Sequence, residues 1–327
     1  MKSVRHPFIK YIGCAVQSYL RRRLVTVGIA IVILLALLSP LSSQSSEPQS
    51  LRSIGISVAD LGNPYFVKLV DAATRKAQQL SNGPVKMLIR SDAYDWQRQI
   101  EQLNDFIEQD VDLIVLTAAD EYKVAPVVAK AQRAGIKVIA VDVNAQGADA
   151  TITTDNVQAG VVACEKLAKQ TGYQGNFVII NGVLVSSVIE RVAGCKSALN
   201  KYPNIRLLSD RMNGTGSVEG GMEAMTYLME AYPQIDAVFT INDPTALGAL
   251  RAAKQAKRNE FVLASVDGAP FAEDIIKQPG NPWIATAVQR PVMMAETAIE
   301  IGMDLLAGKN VPQRFILIPS VLLEKDD

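Results

Sequence analysis

The chain has 327 residues and carries 33 Lys+Arg against 33 Asp+Glu, with a single histidine. The leading segment holds six of the basic residues and no acid, so the chain beyond residue 45 carries 27 basic against 33 acidic groups, a net charge of −6. An acidic body of about 280 residues excludes a nucleic-acid-binding surface built on basic charge, and it is long enough for two compact lobes.

Lys2, Arg5, Lys10 and Arg21 to Arg23 precede an uncharged apolar run, Leu24 to Leu38, and then SPLSSQSSEPQS. A basic stretch, a short apolar run and small polar residues describe a secretory signal peptide over residues 1–45, cleaved after export or kept as an N-terminal anchor. The run is shorter than the roughly 20 residues of a membrane-spanning helix. Both readings place the body in the periplasm. His6 lies in the leader, so the body has no Ser-His-Asp or Cys-His machinery and no histidine metal site. It also has no phosphate loop or nucleophile elbow. The expectation is a protein that is not an enzyme and uses no metal or cofactor.

Beyond the leader the chain alternates. Apolar runs at 53–58, 85–89, 112–117, 137–141 and 150–154 predict strands, and Phe66–Leu80, Trp96–Gln109 and Val124–Ala134 predict amphipathic helices between them. The pattern restarts with a helix at Val157–Thr171, strands at 176–181, 205–209, 236–240, 261–266 and 283–288, and helices at Ile189–Lys201 and Pro291–Leu306. Strand–helix alternation means parallel sheets with right-handed crossovers. Two such series predict an α/β protein of two doubly wound lobes.

Ligands of open α/β sheets sit beyond the carboxyl ends of the strands. Polar residues stand there: Ser91-Asp92, Thr117, Asp120, Asp142, Asn242-Asp243, Asp267 and Gln289. The first strand runs into Gly62-Asn63-Pro64 and then Tyr65 and Phe66 at a helix start. Any one acid at a strand end can equally be a helix cap; several together point to a shared site.

The segments IGISVADLGNPYF, KVIAVD, TTDNVQAG, ERVAGC, YPQIDAVFTINDPTALGAL, VDG and ATAVQRP resemble the ribose-type periplasmic binding proteins from about Arg52 to the end. The resemblance implies a type I periplasmic binding protein, or Venus flytrap, with a three-strand hinge and a monosaccharide held between the lobes. It implies delivery to an ABC-type membrane permease. A sensory protein that presents its ligand to a receptor or kinase is the alternative. Repressors with the same core carry a helix-turn-helix where this chain has its basic and apolar leader. The family's ligand contacts fall on Asn63, Tyr65, Phe66, Asp142, Arg191, Asn242, Asp267 and Gln289. The chain departs from the family's pattern at Ala59, at Val143, where an arginine is usual, and at Met212-Asn213-Gly214, where an aromatic is usual. These departures remove donors and a stacking surface, so the particular sugar stays open among pentoses, hexoses and polyols.

Residues 51–154 with 290–318 are expected to form one lobe, and 155–289 with 319–327 the other, in a monomer. Cys164 and Cys195 fall on consecutive predicted helices and are expected to pair in an oxidising compartment, the alternative being two buried free thiols.

Overall fold

Two six-stranded sheets organise the body, as seen in a computed structural model that describes residues 51–325 apart from Asn82. The leader assigned to residues 1–45 lies outside the described residues. The first sheet contains β1 (Ser53–Val58), β2 (Lys86–Ser91), β3 (Leu113–Leu116), β4 (Lys137–Val141), β5 (Ala150–Thr154) and β11 (Phe315–Ile318), in the order β11-β5-β4-β3-β1-β2. The second contains β6 (Gln174–Asn181), β7 (Asn204–Asn213), β8 (Ala237–Thr240), β9 (Val262–Asp267), β10 (Trp283–Val288) and β12 (Val321–Glu324), in the order β12-β10-β9-β8-β6-β7. Every pairing is parallel except β10 with β12. The inner strands β3 and β8 are buried along their whole length, which is why they read as unbroken apolar runs rather than as alternation.

Helices cover the sheets. α1 (Pro64–Leu80), α2 (Trp96–Glu108) and α3 (Ala125–Arg133) follow the early strands; α4 (Asn156–Gln170), α5 (Ser186–Leu199), α6 (Val218–Ala231), α7 (Asp243–Ala256), α8 (Pro270–Ile276) and α9 (Pro291–Leu306) complete the set among the described residues. α4 packs on β8, β9 and β10, whereas α9 packs on α1, β4 and β5. The chain therefore passes between the lobes after β5, after β10, and between β11 and β12. Only the last passage runs strand to strand. The sequence pattern assigned no strand after residue 288. FILI and VLLE are four-residue edge strands, too short to show a period of their own.

Helix starts follow capping chemistry. Asn63 accepts the Tyr65 amide at 3.0 Å, and Pro64 takes the first helical position, where its missing N–H costs nothing. α1 therefore begins two residues before its predicted start, which places Tyr65 and Phe66 in its first turn, both buried.

Close helix packing in the second lobe joins α4 to α5. A Cβ on Gly160 would stand 2.0 Å from the Arg191 carbonyl oxygen, and one on Gly194 would stand 2.1 Å from that of Val157. Only glycine permits this approach. Cys164 and Cys195 join the same two helices in a disulfide, with Cα atoms 5.1 Å apart.

Two outcomes are expected. A thiol titration of the unfolded, unreduced protein lacking its leader should find no free thiol, and two after reduction. A bond across a separation of 31 residues should add about 3–4 kcal/mol by the loop-entropy relation, measured as the loss on reduction; two thiols before reduction would contradict the pairing. Gly194→Ala should cost about 1–3 kcal/mol in urea unfolding, because the helices must separate to admit the methyl.

Candidate functional site

The carboxyl ends of both sheets face one cavity. Its wall contains all eight residues singled out from the sequence: Asn63, Tyr65, Phe66 and Asp142 from the first lobe, Arg191, Asn242 and Asp267 from the second, and Gln289 where the chain crosses back. The cavity measures about 40 Å³ as space open to the centres of water molecules, so the lobes are nearly shut on one another. The Asn144 amide of the first lobe donates to Ser186 Oγ of the second at 3.0 Å.

Arg191 sits between the two carboxylates. Its NH1 lies 3.7 Å from Asp267 Oδ1 and its NH2 3.9 Å from Asp142 Oδ1, beyond hydrogen-bond length. Its hydrogen bonds go to the protein frame, from Nε to Asn156 Oδ1 at 2.8 Å and from NH1 to the Ile241 carbonyl at 2.9 Å. The guanidinium is therefore a fixed positive charge that both carboxylates feel. Tyr65 Oη donates to Asp142 Oδ1 at 3.1 Å, and Gln289 Nε2 donates to Asp267 Oδ1 at 2.8 Å. Gln289 Oε1 accepts from Thr154 Oγ1 at 2.7 Å, tying the first crossing to the second. The second carboxylate oxygens of Asp142 and Asp267 accept no hydrogen bond among the described residues, so each can accept a donor from the cavity.

Both aspartates hold positive φ, 69° for Asp142 and 135° for Asp267, a conformation costly for a residue with a Cβ. Such strain at the ends of β4 and β9 aims the carboxylates inward. Burial pushes the Asp142 carboxyl up, and Arg191 and Tyr65 pull it partly back. Burial also pushes Asp267 well above the ordinary aspartate range, reinforced by nearby Asp243 and opposed by Arg191.

The other strand-end acids have structural roles. Asp243 is fully buried and accepts from Ser265 Oγ at 2.6 Å, Thr286 Oγ1 at 2.7 Å and the Ala269 amide at 2.6 Å. Asp120 accepts the Tyr122 and Lys123 amides. Asn242 caps α7 through the Thr245 amide, and its Nδ2 donates to the Gly216 carbonyl at 2.9 Å. It lines the cavity with both ends of its amide already engaged.

The sequence reading left Tyr94, Ser187 and Thr215 out of the site, and it marked Thr117 only as a strand end; all four line the cavity. Tyr94 gave no signal because its loop has two consecutive left-handed residues, Ala93 and Tyr94, that no motif announces. Val143, where the resemblance implies arginine, belongs to one buried apolar cluster with Val185 and Val188 of the second lobe. The change exchanges a charged wall for an apolar one.

This fold and cleft define a type I periplasmic binding protein. The pattern of the periplasmic binding protein domain matches residues 54–310, and the chain belongs to that family of ligand-binding proteins, which are not enzymes. It is 26% identical to the ribose import binding protein RbsB of Salmonella typhimurium, over 83% of this chain and 90% of that one. It is 27% identical to a xylitol-binding protein of Mycolicibacterium smegmatis, over 80% and 74%. Among solved structures, an ABC transporter solute-binding protein of Actinobacillus succinogenes with bound D-allose superposes with a TM-score of 0.77 at 24% identity, covering 84% of this chain and 98% of that one. The fructose-binding periplasmic domain of a hybrid two-component system superposes at 0.76 with 26% identity, covering 84% and 90%. No helix among the described residues is long and apolar enough to cross a membrane.

The raised Asp267 carboxyl links stability to pH. A carboxyl held above its unfolded value keeps its proton in the fold where the unfolded chain has lost it. Its contribution is full below the ordinary aspartate pKa of about 3.9 and is lost as pH rises through the folded value. Asp267→Asn should therefore gain in melting temperature relative to the parent as pH rises from about 5 to about 9. A difference that stays constant or shrinks across that range would contradict the shift.

Proposed function

We propose that the protein is the exported substrate-binding component of an ABC importer, which closes its two lobes on a monosaccharide or a related polyol and presents it to a membrane permease. The observation that carries this reading is the pair of Asp142 and Asp267 on the cavity wall, each held by a neutral donor on one oxygen and with the other oxygen unpartnered among the described residues. An ionised carboxylate oxygen accepts strong, short bonds from hydroxyls, and a carboxyl that keeps its proton, as Asp267 does without ligand, donates as well as accepts; sugars and polyols offer hydroxyls at close spacing that suit both. Tyr65 and Phe66 add apolar surface for the C–H faces of such a ligand, in a cleft that combines apolar walls with a few aimed polar groups. Relatives that import ribose or bind xylitol support the same class.

Closure follows from contacts on both sides. A ligand that touches Asp142 on one lobe and Asp267 on the other favours the closed form by its differential contacts. The protein is proposed to act as a monomer, without cofactor or metal. A second reading, in which the closed form signals to a receptor or kinase, is favoured by the likeness to the fructose-binding domain of a two-component system. Reconstitution with a permease encoded beside it would give ligand-stimulated ATP hydrolysis under the first reading and none under the second.

A thermal-shift screen against pentoses, hexoses and polyols should yield at least one stabiliser, worth about 2.7 kcal/mol at 100 times its dissociation constant. Asp267→Ala should weaken binding of that compound by about tenfold, since it removes the hydrogen bonds of that carboxyl, each worth roughly 0.5–1.5 kcal/mol when it keeps its proton and more when it is ionised. The melting temperature without sugar should hold or rise, because the variant removes a buried carboxylate beside Asp243. Unchanged affinity would place the binding surface elsewhere.

A further inference from the structure

We infer that Tyr94 and Thr117 form a second recognition edge on the first lobe, which takes an uncharged oxygen of the ligand at the end remote from the crossings. This inference rests on the sugar-binding reading above and deepens it.

Thr117 is 2% exposed, and its Oγ1 is one of two buried side-chain polar atoms among the described residues with no hydrogen-bond partner. It lines the cavity. Native proteins rarely leave such an atom unpaired, and at the wall of a binding cleft a ligand can supply the partner that the protein does not. Tyr94 Oη likewise makes no hydrogen bond among the described residues, and Tyr94 lines the same cavity. It reaches across to the second lobe, 3.7 Å from where a Cβ on Gly216 would stand.

The two hydroxyls are held by one buried network. The Tyr94 amide donates to Asp92 Oδ1 at 2.8 Å, which fixes the left-handed turn at φ 55° and 61° over Ala93 and Tyr94. Gln99, fully buried, donates from Nε2 to Asp92 Oδ2 at 2.7 Å and to the Thr117 carbonyl at 2.9 Å, while its Oε1 accepts the Ala119 amide at 2.8 Å. One side chain therefore sets the loop after β2 against the loop after β3. Rotation of either loop would break this set.

The placement gives the ligand a direction. In the first sheet β4 carries Asp142, β3 carries Thr117 and β2 leads to Tyr94, so the sequence runs outward from the crossing strands. Strands lie about 4.8 Å apart, which brings Thr117 within one sugar-ring width of Asp142. Burial, with Asp142 and Asp267 next, pushes the Tyr94 phenol well up, so it stays a neutral donor. Two neutral hydroxyls favour a neutral oxygen, a hydroxyl or ring ether, over a phosphate or an ammonium. The site then reads a polyhydroxylated ligand at both ends: donors bind at the carboxylates, and an oxygen binds at Tyr94 and Thr117.

The test uses the variants Tyr94→Phe and Thr117→Val, which keep shape and remove only the hydroxyl. Calorimetric titrations with D-ribose, D-allose and xylitol, and with the monodeoxy derivatives of whichever binds tightest, supply the comparison. Each variant should bind the parent sugar about tenfold more weakly, and that loss should shrink to under about twofold on one monodeoxy derivative, whose missing oxygen is the partner. Thr117→Val should melt, without sugar, at or above the parent's temperature, since it removes an unpaired buried hydroxyl. Both variants binding within about twofold of the parent would overturn the inference while leaving the sugar-binding reading intact. So would a loss that persists equally on every derivative. A parent protein that binds none of the three compounds or any other in the wider screen would overturn both.

Discussion

Two acidic side chains and one guanidinium meet in the cleft, and the second lobe holds that guanidinium still with two hydrogen bonds from its own frame. Asp142 and Asp267 approach from opposite lobes, and two buried acids so placed can ionise only where a counter-charge stands between them. Arg191 supplies it, yet it spends its hydrogen bonds on Asn156 and the Ile241 carbonyl. A flexible cation would follow whichever carboxylate came nearer. A cation pinned to the frame leaves both carboxylates half satisfied, and a half-satisfied carboxylate is one that can accept a new donor. The glycine crossing of α4 and α5 serves the same end, because it brings Asn156 on one helix within reach of Arg191 on the other.

Similar acids at similar strand ends take different duties according to the backbone around them. Asp142 and Asp267 sit at strained positive φ and point into the cleft. Asp243, one residue beyond Asn242, is turned inward and saturated by two hydroxyls and an amide, so it pins β9, β10 and the start of α8 together. Asp92 divides its oxygens between the Tyr94 turn and Gln99. The amides of Asn63 and Asn242 combine both duties, since each starts a helix and lines the cavity. Capping and cavity-lining are compatible because a helix N-terminus at the end of a parallel strand already faces the cleft.

The alternation of apolar runs and amphipathic helices carried most of the fold, because buried parallel strands must read as continuous apolar segments and covering helices must show one apolar face. The edge strands β11 and β12 left no such trace: four residues with exposed Phe315, Leu317 and Val321 look like linker. The eight residues taken from the family resemblance converge on one cavity, and whether each touches a ligand is part of the proposal. Tyr94 escaped notice because a left-handed turn without glycine has no signature. Gln99 escaped because a polar residue in an amphipathic helix reads as solvent-facing, whereas here it is sealed between two loops. Which strand-end acids are structural could not be read either, since that depends on φ and, for Asp243, on partners more than 20 residues away.

The first sheet takes its sixth strand from residues 315–318, and α9, which covers its β4 and β5, comes from residues 291–306. The first lobe is thus incomplete until residue 318 has been made, even though five of its strands are made by residue 154. Neither lobe is a unit of synthesis. A chain cut short near residue 290 would lose the lid of the early lobe and the edge strand of the late one in a single stroke. The unit that can be inherited, fused or truncated without damage is therefore the whole two-lobed body and not either half.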